Sequence, residues 1–175
     1  MRLVRECQLG DRQALGALVD EYQKPVFNAV YRMLGNADEA ADVTQTAFLK
    51  ALERIDSFDP NFRFFSWIYR IGLNEAIDRL KGAKRFVPIS DTATDETPKP
   101  PEQVASLQAS DQVQAALMEI KEDLREVLVL RYFTECSYHQ IGEILRLPDK
   151  TVKSRLFSAR QQLKAQLAQH GFTSL

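Results

Sequence analysis

Thiol and imidazole chemistry have little to draw on in this chain, which holds two cysteines, Cys7 and Cys136, and two histidines, His139 and His170, among 175 residues. The cysteines lie far apart, with no CxxC and no Cys/His cluster. Neither a disulfide framework nor a zinc site is indicated, and both thiols are read as reduced. Neither histidine has metal ligands near it in sequence, and no Ser/His or Cys/His constellation accompanies Glu39, Asp42, Glu53 and Glu75, so catalysis has little support. No apolar run approaches the roughly 18 to 20 residues of a membrane-crossing helix. The opening MRLVRECQLGDRQ lacks the apolar stretch of a signal peptide. A cytoplasmic protein is expected, with no cofactor, no metal and no membrane insertion. Period-two alternation is missing as well, which leaves helix as the reading throughout.

What is present is apolar spacing of three and four residues. Leu15, Leu18, Val19 and Tyr22, then Val26, Phe27, Val30 and Leu34, predict two helical segments with a break or kink at Pro25. Asn36 with Glu39 has the form of a cap with a reciprocal partner, opening a helix to about residue 55. FDPNFRFF interrupts, and a further helix is predicted from about 66 to 81, carrying Trp67, Ile68, Ile71, Ala76, Ile77 and Leu80. Beyond it the stretch VPISDTATDETPKPPEQ has four prolines and few large apolar groups, too little buried surface to offset the cost of ordering the chain. Residues 83–108 are therefore read as a flexible linker. From Phe86 to Ala109 the stretch is acidic: Asp91, Asp95, Glu96 and Glu102 stand against Lys99, a net of −3. The expected architecture is all-α: a helical domain over 1–82, the linker, and a second helical domain over 109–175.

Charge separates the two halves. Residues 1–81 hold 11 Lys/Arg and 12 Asp/Glu, whereas 136–170 hold 6 Lys/Arg against Glu143 and Asp149, a net of +4. Cationic charge concentrated on one short unit is the footprint of a nucleic-acid contact. Within that unit Ser137 and Gln140 form a capping-box pattern, Ile141, Ile144 and Leu145 an apolar face, and Leu147-Pro148 a turn. A second segment follows with Val152, Leu156, Ala159 and Leu163 at core spacing. This is a helix-turn-helix pattern, whose second helix enters the major groove by its N-terminal half. Lys150, Thr151, Lys153, Ser154 and Arg155 stand where base edges and phosphates would be met.

In the first half, Phe58, Phe62, Phe64, Phe65, Trp67 and Tyr69 are interleaved with Arg63 and Arg70. Aromatics beside cations suit single-stranded nucleic acid, because bases stack on rings at roughly 1 to 3 kcal/mol each while the cations follow the backbone. Plain core packing competes as a reading for Trp67.

The pair Asp42-x-x-Gln45, the run WIYRIGLNEAIDRL, and DLREVLVLRYF, SYHQIGEIL and TVKSRLFSAR in that order resemble the extracytoplasmic function sigma factors, the small two-domain group of the bacterial sigma-factor family. The resemblance covers nearly the whole chain. It implies a promoter-specificity subunit that binds core RNA polymerase and promoter DNA and helps melt the minus-ten element, without catalysis of its own. Asp42, Gln45, Phe48 and Leu49 would meet the polymerase. The minus-ten group would be Phe58, Asn61, Arg63, Phe64, Trp67, Arg70 and Asn74: the loop 58–65, closed by Asn74, would take a flipped base, with Trp67 and Arg70 where melting begins. The acidic linker would follow the RNA exit path. Lys150, Thr151, Lys153, Ser154, Arg155, Phe157 and Arg160 would face the minus-thirty-five element. An anti-sigma protein covering the polymerase-binding faces is a further implied partner. Ser158 and Asp78 depart from residues common in the family, Arg and Asn, at positions where DNA preference could change. A dimeric helix-turn-helix repressor or activator is the alternative; an adaptor that never touches DNA is a second.

Overall fold

The structure, a computed structural model, describes residues 2–85 and 111–169. Among these residues it is helical, without strands. Helix α1 covers Arg2–Gln8, α2 Arg12–Leu34, α3 Ala37–Glu53 and α4 Phe64–Arg85; a 3-10 turn, Ile55–Ser57, lies between α3 and α4. A helix over 111–118, here α5, is followed by α6 at Glu122–Leu128, which runs on into a π-turn at Val129–Phe133. Helices α7, Tyr138–Leu145, and α8, Asp149–Gln169, complete the chain order.

Local chemistry accounts for the boundaries. The Asp11 carboxylate accepts the N–H of Gln13 at 2.8 Å and of Ala14 at 3.3 Å, opening α2. Asn36 accepts the N–H of Glu39 at 3.0 Å, one half of the reciprocal pair expected there. At α7 both halves form: Ser137 Oγ accepts from Gln140, and the Gln140 side chain accepts from Ser137. Pro25 does not break α2, contrary to the sequence expectation. It sits on the exposed face, where water can meet the carbonyl its missing N–H leaves free, while Leu18, Val26, Ala29 and Val30 pin both sides of it to the core. Helix α4 starts two residues earlier than predicted and continues to Arg85, three residues into the segment read as linker; the rest of that segment, 86–108, lies outside the described residues.

Helices α2, α3 and α4 pack on one another, with α1 against α2, around Val30, Met33, Ala47, Ile68, Tyr69 and Leu73. Gly72 lets α4 come close to α2: a Cβ there would stand 3.1 Å from Val26 Cγ1. The second unit gathers Leu117, Leu128, Ile141, Ile144, Val152 and Leu156. Its turn is tight, since a Cβ on Gly142 would lie 2.7 Å from the Leu147 carbonyl oxygen.

The two units share one buried cluster. Helix α7 packs on α4, and the end of α2 packs on α6 and the π-turn. Arg125, 4% exposed, donates to the Met33 carbonyl at the end of α2 and, within its own unit, to Met118 O at 2.8 Å and Ile120 O at 2.9 Å. Arg32 donates to the Gln114 side chain at 3.0 Å, and Gln114 returns bonds to the Tyr31 and Arg32 carbonyls. Arg125→Ala removes three charge-assisted bonds and strands buried carbonyls. It should lower unfolding free energy by about 2 to 4 kcal/mol in urea titration, and should raise the fluorescence-measured distance between labels placed at exposed positions on α3 and α8.

Candidate partner and nucleic-acid interface

The first candidate surface is a groove between α2 and α3. Residues 42, 45, 48 and 49 recur at three and four residue spacing and so share a helix face. Asp42 and Gln45 are exposed, Leu49 is 54% exposed, and Phe48 is buried at 8%. All four line a cavity of about 730 Å³, with Val19, Phe27 and Leu52 adding apolar wall and Asp20 and Lys24 adding charge. An exposed leucine over an apolar floor with a charged rim suits an amphipathic helix from another protein.

The aromatic segment divides into footing and tip. Phe58 (3% exposed) and Phe64 (7%) are core residues. Their rings meet each other at 5.8 Å and Trp67 at 5.1 and 5.7 Å, and Phe64 meets Tyr22 edge-on at 5.2 Å. Neither offers a ring to a base. The tip is Asn61, Phe62 and Arg63, all exposed, with Phe62 at 55%. Asp59 fixes that tip, accepting the Asn61 N–H at 2.9 Å on its side chain and the Phe62 N–H at 3.1 Å on its carbonyl.

Trp67, Arg70 and Asn74 face the second unit. A cavity of about 430 Å³ is lined by Phe62, Trp67 and Arg70 from one side and Gly142, Glu143 and Arg146 from the other. A neighbouring cavity of about 390 Å³ includes Arg54, Trp67, Arg70 and Asn74 with Glu126 and Arg146. Phe62 and Asn74 thus line different clefts, linked by Trp67 and Arg70, which line both. The Arg70 guanidinium is held below its ordinary pKa, first by burial and then by the like charge of Arg146. Across this seam Ser66 Oγ donates to Glu143 at 3.4 Å.

On α8 the buried stripe of Val152, Leu156 and Ala159 leaves Lys150, Lys153, Ser154, Phe157 and Arg160 exposed, Phe157 at 62%. Thr151 is half-buried, and its carbonyl accepts from Ser154 Oγ at 3.1 Å. Arg160 Nε donates to the Leu156 carbonyl at 3.1 Å. Arg155 differs from its neighbours. Its side chain is 29% exposed and its Nη1 lies 3.1 Å from Glu126 Oε1 on α6. Glu126 was not singled out from the sequence, although a carboxylate inside the apolar run Leu124 to Leu130 was a usable signal. Burial pushes its pKa up to about 7, with Asp123 adding and Arg155 and Lys81 opposing. His139 is exposed between Glu143 at 3.6 Å and Asp149 at 3.7 Å. Among the described residues no group of three or more His, Cys, Asp or Glu side chains is placed to hold a metal ion, and no helix is long and apolar enough to cross a membrane.

Residues 18–86 match Sigma-70 region 2, and residues 110–163 match Sigma-70 region 4. The chain is 36% identical to the ECF RNA polymerase sigma factor SigW of Bacillus subtilis, over 94% of each chain. It is 33% identical to the RNA polymerase sigma-H factor of Pseudomonas aeruginosa, over 93% of this chain and 90% of the relative, and 34% identical to the ECF RNA polymerase sigma-E factor of Escherichia coli K12, over 92% and 90%. Among solved structures it is similar to CnrH in complex with the cytosolic domain of CnrY, with a TM-score of 0.74 at 28% identity over 95% of both chains. The sigma factor RpoE of Bartonella quintana, solved with the anti-sigma factor NepR, shares the fold at a TM-score of 0.68 and 20% identity, over 87% of this chain and 96% of that one.

The division of the aromatic segment can be checked by unfolding. Phe58→Ala should cost about 3 to 5 kcal/mol by leaving a cavity under Trp67. Phe62→Ala at the exposed tip should stay within about 0.5 kcal/mol of the parent in the same urea titration.

Proposed function

This chain belongs to the extracytoplasmic function group of the sigma-factor family, and from that premise we propose how its surfaces divide the work of an alternative sigma factor. The groove holding Asp42, Gln45, Phe48 and Leu49 receives a helical element of core RNA polymerase. The tip Asn61-Phe62-Arg63, with Trp67, Arg70 and Asn74 behind it, captures the unpaired strand of the minus-ten element. Phe58 and Phe64 serve as its footing. Extruding a base costs a few kcal/mol, which a stacking ring and amide hydrogen bonds can offset. Lys150, Thr151, Lys153, Ser154, Phe157 and Arg160 meet the minus-thirty-five duplex. Arg155, expected in the same set, stands on the flank of α8 against Glu126.

The observation that carries this reading is the contrast between the tip 61–63, one exposed ring and two exposed polar side chains, and the buried rings beneath it. Packing alone has no use for that tip. Recognition and strand capture are this chain's part, and bond-making belongs to the polymerase. Its place of work is the cytoplasm. An anti-sigma protein is its counterpart in regulation, a reading supported by RpoE of Bartonella quintana, solved with such a partner. Because α7 lies over Trp67 and Arg70, promoter capture requires α7 and α4 to part.

The test is transcription in vitro with purified core polymerase on promoter fragments, with and without this protein. Discrete new start sites are expected. Asn74→Ala should reduce their yield about tenfold on duplex templates. Lys153→Ala should lower the slope of log affinity against log salt by about 0.9. Tight binding to a palindromic duplex without polymerase, and no new start sites with it, would instead establish the dimeric repressor.

A further inference from the structure

One buried ion pair in the second unit stands apart from the exposed reading face. Glu126 is 6% exposed on α6, among Leu124, Val127 and Leu128, and its Oε1 lies 3.1 Å from Arg155 Nη1 on α8. Along α8, Arg155 directly precedes the buried Leu156 and follows Val152 by three positions, which places it at the edge of the buried stripe. Lys150, Lys153, Ser154 and Phe157 point the other way, into solvent. With Nη1 on Glu126, the Arg155 guanidinium is turned toward α6 rather than outward with Lys153 and Ser154. Pulling it away would leave a buried carboxyl that either takes up a proton or stays charged without its cation.

We infer that Glu126 is a positioning residue for minus-thirty-five reading: through Arg155 it sets the rotation and seating of α8, and Arg155 acts through that bond rather than on DNA. This rests on α8 being the DNA-reading helix and revises the part given to Arg155. Two helices held only by Val152, Leu156 and Ala159 could slide along their apolar contact, since dispersion and burial are non-directional. A charge-assisted hydrogen bond is directional and fixes the register.

The pair also ties reading to pH in a direction opposite to stability. Facing Glu126 are Arg155 from α8, Asp123 from its own helix and Lys81 from α4; Arg54, Arg70 and Arg146 line the adjoining cleft. With the folded pKa near 7, above the ordinary 4.5, the folded protein holds a proton through that window that the unfolded chain has released. This group's contribution to stability is therefore lost as pH rises through about 7. The charged pair forms over that same rise, so reading should improve as this contribution declines.

The experiment uses the full chain with core polymerase on two templates: a duplex promoter that depends on its minus-thirty-five element, and the same promoter with a pre-opened minus-ten bubble and that element removed. Glu126→Gln should lower initiation about tenfold on the first, leave the second unchanged, and flatten the rise between about pH 6 and 8. Its thermal unfolding should be no easier than the parent's, because a neutral amide replaces a buried charge. Arg155→Ala should give no greater loss than Glu126→Gln, the double variant should not add to either, and Arg155→Lys should recover part of the activity. Over a panel of single base-pair changes in the element, Glu126→Gln should weaken every sequence alike. The inference is overturned if Glu126→Gln is silent on both templates while Arg155→Ala erases discrimination at one base pair, the mark of a direct reader. A parent protein inactive on both templates would overturn the sigma-factor assignment, and this inference with it.

Discussion

Every α-helix leaves its last carbonyls without partners inside the helix, and at the end of α2 that need is met largely from the other half of the chain. Gly35, in the left-handed conformation at φ 75°, returns its own N–H to Tyr31. The Met33 carbonyl is met by Arg125, and Gln114 reaches the carbonyls of Tyr31 and Arg32. The negative end of a 23-residue helix thus receives a guanidinium that is almost wholly buried. Water could serve those carbonyls too. Arg125 differs from water in being committed inside the second unit to Met118 and Ile120 as well, so the same guanidinium joins the two units.

The seating of α7 on α4 follows from that anchor. With the end of α2 held against α6 and the π-turn, α7 comes to lie over Trp67 and Arg70. The seam is not uniformly favourable. Arg70 and Arg146 face each other as like charges, and Ser66 to Glu143 is a long bond. Charge-assisted bonds from Arg125 at one end and like charges at the other make the two ends of the contact unequal. Such an arrangement suits a protein that must present two surfaces to one promoter, since two weak modules become selective when a rigid partner spaces them.

Much of this was legible in the sequence because helix caps and apolar periodicity are local signals. Asn36, Ser137 with Gln140, and the Leu147-Pro148 turn all mark real boundaries. The four groove residues fall on one face because their spacing is helical, and spacing is visible in one dimension. Three things were hidden by their dependence on distant chain. Pro25 reads as a break until one knows which face of α2 is wet. Phe58 and Phe64 cannot be told from Phe62 by residue type, since only Tyr22, more than thirty positions earlier, and Trp67 distinguish footing from tip. Arg155 looks like one more cation in a basic run, and its partner lies 29 residues away in an apolar stretch.

The aromatic footing has a consequence for how such a protein can diverge. Phe58, Phe64 and Trp67 hold the loop by contacts in which Asn61, Phe62 and Arg63 take no part, and Asp59 fixes the turn largely through backbone N–H groups. The three tip residues can therefore be exchanged while the packing beneath them stays intact. Copies of this gene could drift apart in the face this loop presents without first becoming unstable, because the positions that hold the loop and the positions that face outward from it belong to different side chains.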